Sequence, residues 1–101
     1  MWPQTRIRVV KRDGREEELM PEKIVVSCLK AGATLEASRE IALIVTARLL
    51  DAGRERVTAK ELTREILSEL RRRNEEWYRN WILFDRAVKR RRTERELEEA
   101  G

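Results

Sequence analysis

Apolar and polar positions along this chain change period after the first twenty residues. Residues 5–11 (Thr-Arg-Ile-Arg-Val-Val-Lys) alternate and then close on two β-branched side chains, the pattern of a half-buried strand. Arg12-Asp13-Gly14-Arg15 follows, and Asp-Gly predicts a hairpin because glycine accepts the positive φ of a type I′ turn. The return strand is expected from about Glu16 to Met20, its carboxylates facing the basic first strand so that cross-strand ion pairs help set the register.

From Pro21, a residue suited to the first position of a helix, the period becomes helical. A first helix carries Ile24, Val25, Cys28 and Leu29 on one face and ends at Ala31-Gly32. A second, capped by Thr34, runs to Ala52-Gly53, with apolar positions (among them Leu35, Ile41, Leu43, Val45 and Leu50) around more than half its circumference, as in a central helix. Arg54-Glu55-Arg56-Val57 can add an edge strand to the hairpin. Thr58 with Glu61 forms a capping-box pattern opening a third helix, whose buried stripe is Leu62, Ile66, Leu67 and Leu70. Its basic end, Arg71-Arg72-Arg73 with Asn74, suits the negative pole of the helix dipole. A fourth helix begins near Glu75, buries Trp77, Trp81, Phe84 and Val88, and is expected to fray after about Arg92.

These elements predict an α+β domain, a small N-terminal β-hairpin or three-stranded sheet packed on a four-helix bundle. The expected organisation is an N-terminal arm over residues 1–6, one domain over 7–92 and a charged tail over 93–101. Trp2, beside Pro3, is expected to fold back onto the sheet or to pack on another subunit.

Composition narrows the chemistry. The chain is 42% charged, yet its 23 basic and 19 acidic residues nearly cancel to a net +4, which describes an ion-paired surface. Arginine outnumbers lysine 18 to 5, and asparagine and glutamine total three, a composition like that of hyperthermophilic proteins. With no histidine and only Cys28, the chain cannot assemble a His/Cys zinc or copper site, an internal disulfide or a histidine-based triad. The longest apolar stretch, Ile41 to Ala47, is too short to span a bilayer, and residues 1–15 lack a signal-peptide core. A reduced, cytoplasmic setting is the expectation.

Two positions call for an anion or an acidic neighbour. Lys11 and Arg12 enter the tight turn, and Lys23 lies in the first turn of a helix, where a cation opposes the dipole unless a phosphate is bound or a nearby carboxylate pairs with it. Both readings fit the sequence. The aromatic residues of the last helix are read as core rather than base-stacking groups. Lys89-Arg90-Arg91-Arg92, followed closely by Glu94, Glu96, Glu98 and Glu99, is read as an ion-paired helix end.

Val10-Lys11-Arg12-Asp13-Gly14-Arg15-Glu16-Glu17, then Glu22-Lys23-Ile24 and the Ala31-Gly32 helix end, resemble the opening of the ATP-cone domain, the nucleotide-sensing module of ribonucleotide reductases and of their transcriptional repressor. Val57-Thr58-Ala59-Lys60-Glu61-Leu62 is similar to the start of the family's third helix, and Tyr78, Trp81, Phe84 and Arg86 to its last. The resemblance implies binding of ATP or dATP, singly or as a pair, beneath the hairpin, with Mg²⁺ accompanying the phosphates. It places Lys11, Arg12 and Lys23 on phosphates and Glu17 near the base. The family's further basic group aligns with Val88, leaving Arg86 or Lys89 to reach in from a neighbouring face, and Met20 stands where some members carry a polar residue.

No Walker A sequence and no activated nucleophile are present, so the expectation is binding without catalysis. A free-standing cone would act on a partner such as a ribonucleotide reductase subunit, or through nucleotide-dependent homo-oligomerisation. The alternative is a small nucleic-acid-binding protein or transcriptional regulator, using Lys60, Arg64 and Arg71–Arg73 on the third helix. Glu61, Glu65 and Glu69 on the same helix weigh against it.

Overall fold

In the computed structural model, the backbone of residues 5–100 and the side chains of residues 5–88 are described. Trp2 and most of the expected arm lie outside them. Strand β1 (Arg8–Val10) is central: it pairs antiparallel with β2 (Glu16–Glu18) and parallel with β3 (Arg56–Thr58), giving the order β2-β1-β3. Helices α1 (Pro21–Lys30), α2 (Leu35–Asp51), α3 (Ala59–Arg73) and α4 (Glu75–Ala100) complete the α+β fold. Among the described residues no helix is long and apolar enough to cross a membrane.

The first strand is shorter than its alternation predicts. Arg6 takes φ +62°, which interrupts the regular ladder. Around it the Thr5 hydroxyl accepts from the Ile7 amide and donates to the Leu19 carbonyl, both at 3.2 Å, fastening the chain entry to the end of the hairpin. The turn also differs from type I′, which needs two successive positive φ values. Only Gly14 has one (φ +89°); the Gly14 amide donates to Lys11 at 3.0 Å and the Lys11 amide to Arg15 at 2.7 Å. This is a three-residue loop with glycine at its left-handed position. Across the sheet, Arg56 rather than a β1 residue pairs with Glu16, at 2.6 Å.

Helix starts follow the sequence closely. The Thr34 and Thr58 hydroxyls accept from the Ala37 and Glu61 amides at 3.1 and 3.0 Å, and Pro21 opens α1. Asn74, expected only to end α3, also begins α4: its side-chain carbonyl accepts from the Glu76 and Trp77 amides at 2.9 and 3.2 Å. The α4 backbone stays helical to Ala100 instead of fraying near Arg92. The side chains of residues 89–100, and with them the expected ion-paired helix end, lie outside the described residues.

The core joins Ile7, Val9 and Val57 of the sheet side to Ile24 and Cys28 of α1, Ile41 and Val45 of α2, and Ile66 and Leu70 of α3, with Trp77 and Trp81 half-buried against it. Two expectations are corrected. Helix α2 packs chiefly on α1 and α3, so its third face is uncovered and leaves Leu35, Leu43 and Leu50 exposed. Phe84 is 48% exposed; its nearby cation is the Lys30 ammonium, 5.7 Å from the ring centroid, so the ring lies at the surface rather than in the core.

One charge is buried on purpose of packing α2 to α3. Glu69 is 3% exposed and is held by Arg48 at 2.7 Å and Arg72 at 3.3 Å. A buried carboxylate stripped of its partner is costly. Arg48→Ala is therefore expected to lower stability by about 2 kcal/mol in urea denaturation. The solvent-exposed Arg79, 4.0 Å from Glu75, marks the contrast, and its removal should cost less than about 0.5 kcal/mol. Equal losses for the two would show that burial does not strengthen the Arg48 pair.

Candidate functional site

Strands β2 and β3 flank β1 and each passes almost directly into a helix, β2 into α1 and β3 into α3. The N-termini of α1 and α3 therefore open onto one cleft beneath the inner face of the sheet, and α4 closes it with Trp81. The cleft has two contiguous chambers, about 590 and 230 Å³, which share Lys11, Ala59, Thr63 and Trp81. Helix N-termini present unpaired backbone amides and partial positive charge, so this placement favours an anion before any side chain is counted.

The side chains add to that field. Lys11 and Arg12 come from the turn end of β1, Lys23 from the first turn of α1, and Lys60 from the first turn of α3. Glu17 lies opposite Val9 in the β1–β2 register, on the inner face, where its Oε1 is 2.8 Å from the Lys11 ammonium and 3.7 Å from that of Lys23. Lys11, through its hydrogen bond and its charge, and then Lys23 hold the Glu17 carboxyl below its ordinary 4.5. Arg12 and Lys60 enter no ion pair among the described residues. Asp85 of α4 also lines the larger chamber.

The structure thus brings together Lys11, Arg12, Glu17 and Lys23. Arg86 is exposed and lines neither chamber, and the Lys89 side chain lies outside the described residues. Sequence reasoning missed Lys60, Thr63 and Trp81. The signal for Lys60 was present: like Lys23, it is a cation in the first turn of a helix, opposing the dipole. Trp81 was read as core, and its position is both, packed on the core and lining the cleft.

The cleft's lysines, Arg12 and the two helix N-termini can attract an anion. Among the described residues no group of three or more acidic or thiol ligands could bind a metal. Burial pushes the Cys28 thiol up to about 11, leaving it protonated and inert near neutrality.

A hairpin laid over helix N-termini, with lysine and arginine at its rim, makes this an α+β module with a cation-lined recess. Residues 7–93 match the ATP cone domain, and the chain belongs to that family, whose members bind ATP or dATP and serve nucleotide-sensing regulation. The chain is also 50% identical, over 36 residues, to an uncharacterized protein from Archaeoglobus fulgidus; the match covers 36% of this chain and 77% of that one.

The Glu17 pairing has a measurable sign. Because its carboxyl titrates below 4.5 in the folded state, its contribution is complete above that value and is lost as pH falls through the folded value. A carboxyl-detected NMR titration should find Glu17 below 4.5 in the parent and returned toward 4.5 in Lys11→Ala. An unchanged midpoint would mean that Lys11 does not hold it.

Proposed function

We propose that this chain binds an adenine nucleoside triphosphate in the cleft under the hairpin and works as a regulatory sensor without turnover. The observation that carries this reading is the convergence of Lys11, Arg12, Lys23 and Lys60 with two helix N-termini on one recess of nucleotide size. Lysines supply point charges to phosphate oxygens, and Arg12 adds a planar fork suited to an oxygen pair. Glu17, now neutralising Lys11 and Lys23, keeps both ammonium groups at the cleft when no phosphate is bound. The indole of Trp81 offers a flat apolar face for the base. Mg²⁺ would enter with the phosphates and be held mainly by them.

The sensor reads out through protein contact, either with a partner such as a ribonucleotide reductase subunit or with further copies of this chain. The exposed Leu35, Leu43 and Leu50, which share one face of α2, support a protein-facing surface. The setting that fits this role is cytoplasmic.

Calorimetric titration with ATP, dATP and GTP in the presence of Mg²⁺ tests the reading, with adenine nucleotides expected to bind and no phosphate to be released. Lys11→Ala and Lys23→Ala are each expected to weaken binding about tenfold, or about 1.4 kcal/mol, while the thermal midpoint stays close to that of the parent. Absence of binding at millimolar nucleotide would end the proposal. Unchanged affinity in both variants would remove the phosphate assignments. Light scattering with and without ATP then separates self-association from action on another protein.

A further inference from the structure

Helix α3 sorts its charges by face. Glu61 is held by Arg54 at 2.7 Å, and Glu65 and Glu69 by Arg48 at 3.7 and 2.7 Å, so its acidic side chains turn toward α2 and the loop before β3 and are neutralised there. Lys60, Arg64 and Arg71, at i, i+4 and i+11, lie on a separate face that borders a groove of about 560 Å³ between α3 and α4. The acidic residues that weighed against polyanion binding in the sequence are thus paired largely away from Lys60, Arg64 and Arg71, although Arg64 lies close enough to Glu61 to lower its carboxyl and Arg72, also on the groove, pairs with Glu69.

Within the groove, Lys60 and Arg64 enter no ion pair among the described residues. Arg71 lies 5.1 Å from the centroid of the Tyr78 ring and 3.6 Å from Glu75. Leu67 and half-buried Tyr78 make an apolar lining, and Ser68 adds a hydroxyl. At a rise of 1.5 Å per residue, Lys60 to Arg71 spans about 16 Å, the reach of a few nucleotides.

We propose that this groove binds a single strand of nucleic acid, its phosphates along Lys60, Arg64 and Arg71 and a base against Leu67 and Tyr78. Lys60 and Arg64, without ion pairs among the described residues, give the sequence-independent attraction, and Arg71 would exchange Glu75 for phosphate. The hydroxyl adds a phosphate hydrogen bond, and the tyrosine and guanidinium planes a stacking platform. A duplex is read by an element that projects into one of its grooves. Here the basic residues line a recess, which suits a flexible strand. The inference stands apart from the nucleotide cleft, although Lys60 and Thr63 border both.

The test is fluorescence anisotropy of the full chain with a labelled oligothymidylate, without nucleotide, over about 50 to 200 mM salt. Binding that weakens steeply with salt is expected. Lys60→Ala with Arg64→Ala should lower affinity about tenfold and reduce the log–log salt slope by about 1.4, two single-strand phosphate contacts. Lys30→Ala with Arg39→Ala, equal in net charge and placed on α1 and α2, should bind like the parent, with circular dichroism melts confirming that both doubles fold. The proposal fails if the parent does not bind, or if the two doubles lose affinity equally. It also fails if polyglutamate displaces the probe as well as unlabelled oligothymidylate does, because the groove would then be a dock for acidic protein segments.

Discussion

Strand β1 is the constraint on which the rest of this structure depends. It is hydrogen-bonded on both sides, antiparallel to β2 and parallel to β3, although β3 follows α2 and its residues lie 48 positions beyond their β1 partners. A parallel partner requires a long crossover, and α1 and α2 provide it. Their packing on the inner face of the sheet buries Ile7, Val9 and Val57, and that burial in turn holds β3 in register. The cleft is a by-product of this arrangement. With both flanking strands feeding helices after a turn or less, the sheet aims two helix N-termini at one space.

Electrostatics then explain the residues around that space. Lys23 and Lys60 occupy first turns, where carboxylates are ordinarily preferred, and they work against the dipoles of their own helices. Each such placement is a small local loss. Glu17 offsets the loss for Lys23 while also pairing with Lys11, and Lys60 and Arg12 enter no ion pair among the described residues. Elsewhere the ion pairs are assembled differently: Arg54 with Glu61 and Arg73 with Glu40 are partner to partner at 2.7 and 2.6 Å, and each ties one element to another. The near-cancellation of 23 basic and 19 acidic residues is thus uneven in space, settled over much of the surface and unsettled at the cleft and along one face of α3.

What could be read from the sequence follows from where its signals are local. Caps at Thr34 and Thr58, the proline at α1 and the left-handed Gly32 are short-range chemistry, and the structure places them as expected. The hairpin itself was legible, but the turn type was not, because Asp-Gly serves a two-residue and a three-residue loop alike. Misreadings came where tertiary cover decides. An all-round apolar α2 looks central, yet among the described residues it packs chiefly on α1 and α3 and leaves Leu43 and Leu50 exposed. Phe84 follows the helical spacing of the half-buried tryptophans and still lies at the surface. For the site, the Lys11-Arg12-Asp13-Gly14 turn and Lys23 were evident and Lys60 carried the same first-turn signal, whereas Thr63 and Trp81 join it only through the packing of α3 and α4 beneath the sheet.

Lys60 and Thr63 border both the cleft and the α3–α4 groove, and this gives the two recesses a physical reason to communicate. A lysine ammonium is one charge on a flexible stem, so it cannot serve phosphates on both sides of α3 with full strength at once. An anion that claims it on one side lowers the attraction on the other. By linkage the effect is reciprocal, and its size is bounded by the difference in affinity that Lys60 creates. No movement of the fold is needed for such coupling. On the two proposed sites, binding in one recess would therefore report on the other through Lys60, which lines both.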